Sequence, residues 1–228
     1  MMVRTQEEFL RRLASVAETR DTDTGQHITR IGTISQQLAI AAGCTQEYAH
    51  QISLAAMLHD IGKIGIADSI LLKREPLTAE ERQDMRRHAE LGHDMLAGSG
   101  LPLLDMAAEI SWCHHECWDG SGYPLALRGT SVPLAARIVH VVDAYDAMTS
   151  DRPYRPGMSH EEASAILNKF AGSQFDPDVV RVFQQLPVEA QLRPEPHVEP
   201  ALEDLQRLAE ALGPESAVPI PPGALCGS

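Results

Sequence analysis

The sequence predicts an all-α fold, a bundle of helices packed on helices. Three observations carry that prediction. Helix start and stop signals recur along most of the chain, and no run of alternating apolar and polar residues marks a strand. Aromatic residues are only 4% of the 228, while alanine and leucine are plentiful. The 43% hydrophobic content is ordinary for a chain long enough to bury a substantial core.

The elements follow in order. A first helix is predicted over residues 7–19, and a second over residues 26–42, closed by Gly43. A third covers residues 46–58. Thr78 with Glu81 forms a capping box, in which the Thr hydroxyl and the Glu carboxylate satisfy each other's backbone N–H groups, and opens a helix to residue 97. Another is predicted over residues 103–117. Pro133 suits the first turn of a long helix through "LAARIVHVVDAYDAM". Ser159 with Glu162 repeats the capping box, and Asp176-Pro177 starts a shorter helix to residue 186. Composition then shifts. Residues 187–200 are rich in Pro and Glu and read as a linker, and Leu202, Leu205, Leu208 and Leu212 define an amphipathic helix ahead of a tail of disordered composition. The division is therefore a helical domain over residues 1–186 and an appendage over residues 187–228.

The formal net charge of −13 argues against a binder of nucleic-acid polymers or anionic membranes. A small phosphate-bearing ligand remains compatible, because metals and a few local cations reverse the sign inside a pocket. Cys44, Cys113, Cys117 and Cys226 do not make a secreted disulfide framework in a chain of this size. The N-terminus lacks the apolar core of a signal peptide, and no apolar run approaches the roughly 20 residues that span a bilayer. A cytoplasmic protein is the expectation.

Histidines and carboxylates recur at about one helix-plus-connection spacing. His27 begins the second helix, with Asp23 four residues earlier; His59-Asp60 ends the third. His88 lies in the next, and His114-His115 near the end of the one after. Asp143 sits in the apolar run "RIVHVVDAYDAM", where burying an unpaired carboxylate would cost several kcal/mol. Facing helices of a bundle can bring such ligands together on metal ions, and imidazole with carboxylate suits iron, manganese, zinc or nickel. Adjacent side chains on a helix point about 100° apart, so His114 and His115 are expected on two neighbouring ions, with Asp60 bridging. Two ions about 3.5–4 Å apart activate water and clamp a phosphoryl oxygen, which points to phosphoester hydrolysis. Lys63, one turn beyond Asp60, is placed to neutralise charge building on phosphate.

In order, "ETRDTDTGQH", "AAMLHDIGKIGI", "HHECWDGSGYP", "LAARIVHVVDAYDAMTSDRPYR" and "GSQFDPDVV" resemble the HD-GYP family of HD-superfamily metal-dependent phosphohydrolases, over about residues 18–183. The resemblance implies an HD-superfamily helical bundle with a metal centre between helices. It also implies hydrolysis of cyclic di-GMP, or a related cyclic dinucleotide, to pGpG, GMP or both. His27, His59, Asp60, His88, His114, His115 and Asp143 fall at metal-ligand positions of a two-ion centre, iron or manganese. Asp23, where the family usually has Glu, falls at the position serving a third ion. Asp60 and Lys63 are the catalytic candidates, and Lys63, Arg152 and Arg155 the phosphate contacts. The loop Gly122, Tyr123, Pro124 is implied at the rim and in contact with GGDEF-domain partners. Cys117 departs from a residue usually basic in the family. The rival readings are a general nucleotide phosphohydrolase and a non-catalytic cyclic-dinucleotide receptor or scaffold. A homodimer is a further candidate assembly.

Overall fold

A computed structural model of the chain describes residues 2–18, 20, 26–151 and 156–188. These all lie in the first of two units, Met1–Leu192. Among the described residues the only β-type pairing is an isolated bridge, Ala171 with Phe175, and the rest is helix, turn and loop. The expectations placed on Asp23, Arg152, Arg155, the linker from residue 189, the leucine-striped helix and Cys226 lie outside the described residues.

The helices are α1 (Met2–Glu18), α2 (Gln26–Ala41), α3 (Gln46–Ala56), α4 (Asp68–Leu71), α5 (Ala79–Arg86), α6 (His88–Leu96), α7 (Pro102–Cys113), α8 (Leu134–Thr149), α9 (His160–Lys169) and α10 (Pro177–Phe183). Both predicted capping boxes form: Thr78 and Ser159 accept from the N–H groups of Glu81 and Glu162, whose carboxylates accept in return. Asp176 caps α10 with its side chain, and Pro177 opens that helix as expected.

α8 is the central helix. Ala135, Ile138, Val139, Val141 and Val142 are buried around it, which explains why its sequence is apolar with little alternation. Against it packs α2, whose Ile28, Ile31, Ile34 and Leu38, at i, i+3, i+6 and i+10, form a stripe toward the core. α3 packs on α2 and α7, and α7 packs on α6 and α8. Burying each Ile or Leu side chain here is worth roughly 1.5–3 kcal/mol, which fixes the helix axes against one another.

Helix α10 stops at Phe183, short of the predicted residue 186, and three other predicted helices are cut short or broken at the site. α3 stops at Ala56, and turns through residues 57–60 lead into a 3₁₀ turn, Ile61–Gly65. The helix predicted over residues 78–97 is broken at Arg87 into α5 and α6, so His88 opens α6. The helix predicted to residue 117 ends at Cys113, with His114 as its C-cap.

Candidate metal centre

The HD turn is built by a glycine. A Cβ on Gly62 would stand 1.9 Å from the His88 carbonyl oxygen and 2.5 Å from the Gly92 nitrogen. The 3₁₀ turn therefore rests directly on the backbone of α6. That contact brings Asp60 Oδ1 to 3.3 Å from His88 Nε2 and 3.6 Å from His114 Nε2. The same turn puts Lys63 Nζ 2.8 Å from Asp60 Oδ2.

The predicted ligands converge in two groups. Asp60, His88, His114 and His115 form one; His27, His59 and Asp143 form the other. In each group the ligand atoms lie within 4.8 Å of one another. Asp60 faces both, its Oδ1 turned to the first group and its Oδ2 3.4 Å from His59 Nε2. Asp143 Oδ1 lies 3.7 Å from His59 Nε2 and 3.8 Å from His27 Nε2.

Hydrogen-bond chemistry tests whether these residues fit a metal. His59, His88 and His114 donate from Nδ1 to the carbonyls of Ala56, Met85 and Ser111 at 2.8, 2.8 and 2.9 Å. Each Nε2 is thereby left as a lone-pair acceptor. His88 Nε2 nevertheless sits 3.4 Å from His114 Nε2 and 3.1 Å from His115 Nε2. His59 Nε2 is buried with no hydrogen-bond partner among the described residues. The lone pairs of His88 and His114, aimed at one another, repel unless a cation lies between them, and ligands about 2.1 Å from one ion are separated by about 3.0–3.4 Å at ordinary coordination angles. The donor set fits divalent metal ions.

Electrostatics agree. Burial opposes charge on Asp60, but Lys63 and His59 beside it hold its carboxyl well below the usual range. Burial also lowers His59, yet Asp60 and Asp143 outweigh it and raise that imidazole to about 9. Burial takes His88 down to about 4. The pocket therefore draws positive charge to His59, the place a cation would take, while burial keeps His88 and His115 neutral, the state that binds metal.

Two expectations are corrected. His114 and His115 lie in the same group, with ring centroids 4.0 Å apart, because α7 has ended and the 100° helical stagger no longer applies. Of the cysteines flanking them, Cys113 ends α7 and packs with Val132 and Ala136, and Cys117 lies beyond the helix. Neither cysteine belongs to a metal-competent group among the described residues. Asp143 is half-buried rather than buried; the deeply buried carboxylate of α8 is Asp146. Elsewhere in the bundle, the hydroxyl of buried Tyr145 and His160 Nδ1 share a hydrogen bond at 2.8 Å.

The rim loop packs on the ligands themselves. A Cβ on Gly122 would meet the Cys117 nitrogen at 2.2 Å and the His115 carbonyl oxygen at 2.6 Å, so only glycine fits. Tyr123 stacks on His115 with centroids 4.8 Å apart, and the Arg86 guanidinium lies 4.8 Å from the Tyr123 centroid. The Tyr123-Pro124 peptide is cis. Buried Glu116 accepts from the N–H groups of Leu125 and Leu127 at 2.6 and 2.9 Å, anchoring the loop beside His115.

Sequence reasoning missed Asp146, Arg30, Glu116 and Arg86. The signal for Asp146 was its position three residues after Asp143 on one helix. Nothing local marked Arg30, whose partner is distant in the chain.

Comparison with known proteins agrees with this geometry. The sequence matches the HD domain family over residues 11–179. A "Probable cyclic di-GMP phosphodiesterase" of Vibrio cholerae is 45% identical, over 79% of this chain and 44% of that protein. A "Cyclic di-GMP phosphodiesterase" of Thermotoga maritima is 42% identical, over 78% of this chain and 49% of its own length. A "3'3'-cGAMP-specific phosphodiesterase 2" of Vibrio cholerae is 37% identical over 78% of this chain and 34% of that protein. The chain thus spans about half the length, or less, of these relatives. Among solved structures, a cyclic GMP-AMP-specific phosphodiesterase of V. cholerae superposes with a TM-score of 0.64 over 89% of this chain and 53% of its own, at 19% identity, and shares the fold. The chain belongs to the HD domain family, in its HD-GYP branch. No helix among the described residues is long and apolar enough to cross a membrane.

Proposed function

We propose that this chain is the catalytic domain of a metal-dependent phosphodiesterase that hydrolyses cyclic di-GMP to pGpG, GMP or both. The observation that carries the reading is the pair of ligand groups joined by Asp60, with Lys63 alongside. The names of the relatives supply the substrate class. His88, His114 and His115 would hold one ion, His27, His59 and Asp143 a second, and Asp60 both; iron or manganese suits this set. When bound, the ions supply Lewis acidity and lower the pKa of water toward neutrality.

The chain's own residues do the rest. Asp60, kept ionised by Lys63, holds the two groups in register. Lys63, half-buried at the mouth, meets the negative charge that builds on the phosphoryl oxygens. Tyr123 covers His115 and limits water on that side. Arg152 and Arg155 are assigned to the substrate's phosphates. The loop Gly122-Tyr123-Pro124 is assigned to the rim and to docking of GGDEF-domain proteins. We further assign the catalytic domain to residues 1–186, with residues 187–228 as an appendage, and place the protein in the cytoplasm, as a candidate homodimer.

The test is chromatography of cyclic di-GMP incubated with protein loaded without oxygen with Fe(II) or Mn(II). Release of pGpG or GMP is expected. Binding without any product would favour a scaffold, and faster turnover of mononucleotides would favour a general phosphohydrolase. Competition with 3'3'-cGAMP sets the preference between the two cyclic dinucleotides.

A further inference from the structure

We propose that Asp146 is a positioning residue that orients His27 and sets the metal affinity of the His27–His59–Asp143 group, with Arg30 locking Asp146 in place. The inference rests on reading the two groups as metal sites.

The ligand histidines are not held alike. His59, His88 and His114 give their Nδ1–H to neutral backbone carbonyls. His27 gives its Nδ1–H to a carboxylate, Asp146 Oδ2, at 2.6 Å. A charge-assisted bond of that length fixes the ring and its tautomer, directs Nε2 at Asp143, and makes that nitrogen a stronger donor to a cation.

Asp146 can play this part because it is itself fully held. It is only 1% exposed, and a carboxylate at such depth costs several kcal/mol unless paired and hydrogen-bonded. Arg30 supplies both needs. Its Nε donates to Oδ1 at 2.5 Å and its Nη2 to Oδ2 at 2.9 Å, the two-pronged fork that fixes a carboxylate's plane. Nη2 also reaches Ser150 Oγ at 2.9 Å, and that hydroxyl lies 3.2 Å from Oδ2. Asp143 and Asp146 both sit on α8, so one rigid element carries a ligand of this group and the support of another. Arg30 and His27, three residues apart on α2, close the square from the opposite helix.

Asp146→Asn keeps the shape and removes the charge. Calorimetric titration of metal-free full-length protein with Mn(II), with elemental analysis of the bound metal, reads the result. The expected outcome is one ion weakened roughly 10–100-fold and the other unchanged. His27→Ala should lose the same ion, and the double variant should bind no worse than His27→Ala alone. An Asp146→Asn protein that keeps both ions at wild-type affinity overturns the proposal, even if it melts at a lower temperature. Should that variant fold poorly, Arg30→Lys, which keeps the charge and loses the fork, must weaken the same ion; unchanged affinity there also overturns it. Wild-type protein that takes up no Mn(II) overturns the metal reading itself, an outcome distinct from failure of Asp146 alone.

Discussion

Gly62→Ala should break the metal centre without touching a ligand. The new Cβ would be 1.9 Å from the His88 carbonyl oxygen, where ordinary contact begins at 3.4 Å, so about 1.5 Å of separation must be found. The neighbours are backbone atoms of α6, His88 O and C and Gly92 N, and they cannot swing aside as a side chain would. The 3₁₀ turn must lift away from α6, carrying Asp60 with it. Metal–ligand distances tolerate only about 0.2 Å, so a shift of this size removes Asp60 from the His88–His114–His115 group. Overpacking alone costs about 1–3 kcal/mol of stability. The loss of metal affinity should exceed the roughly 10–100-fold cost of losing an outer partner. A 1 Å misplacement of catalytic groups should lower turnover by about a hundredfold. Manganese titration, differential scanning calorimetry and cyclic di-GMP turnover measure the three effects. A Gly62→Ala protein with wild-type metal affinity and turnover would refute the reasoning, because it would show that the turn does not depend on this contact.

Three other outcomes follow from the same geometry. Lys63→Met should lower kcat about 10²–10³-fold with metal content unchanged; loss of metal instead would mean that Lys63 serves chiefly to hold Asp60. Glu116→Gln turns an NH₂ group toward one of the Leu125 and Leu127 N–H donors and should cost about 1–3 kcal/mol in urea unfolding, with a raised KM as the rim loop loosens. His140 donates to the Glu116 carbonyl, and burial depresses its pKa to about 4 from 6.5. The unfolded chain thus takes up this proton first, so metal-free protein should lose about 3 kcal/mol from this group as pH falls from 6.5 to 4. Asn at position 140 keeps a donor but cannot titrate, and the pH dependence of its urea midpoint should flatten over that interval.

Much of the site was legible because its chemistry is tied to local spacing. The histidine ligands lie at or near helix ends, about one helix and one connection apart, and helix-end signals can be read from a few residues. What was not legible is tertiary. The argument that a carboxylate in the α8 run must be buried and paired was sound, but it belonged to Asp146 and not to Asp143. Both stand in the same apolar stretch, and only the packing of α2 against α8 decides which meets His27 and Arg30. The early end of α7 was hidden for a similar reason. Nothing local stops a helix at "WCHHEC"; the loop that folds back on Glu116 and His115 through Gly122 does. At positions 62 and 122 glycine lets two backbones touch, a service that no local pattern announces.

The ligands come from positions 27 to 143, so an ion bound among them is also a cross-link. It ties α2 to α8 and the HD turn to α6 and α7, closing loops that the unfolded chain could close only at an entropic cost. An ion that binds the folded chain and not the unfolded one adds its own binding free energy to folding, about 2.7 kcal/mol at a hundredfold excess over Kd. Metal supply would then govern how much of the protein survives in the cell as well as how fast each copy works, and scarcity would lower both together.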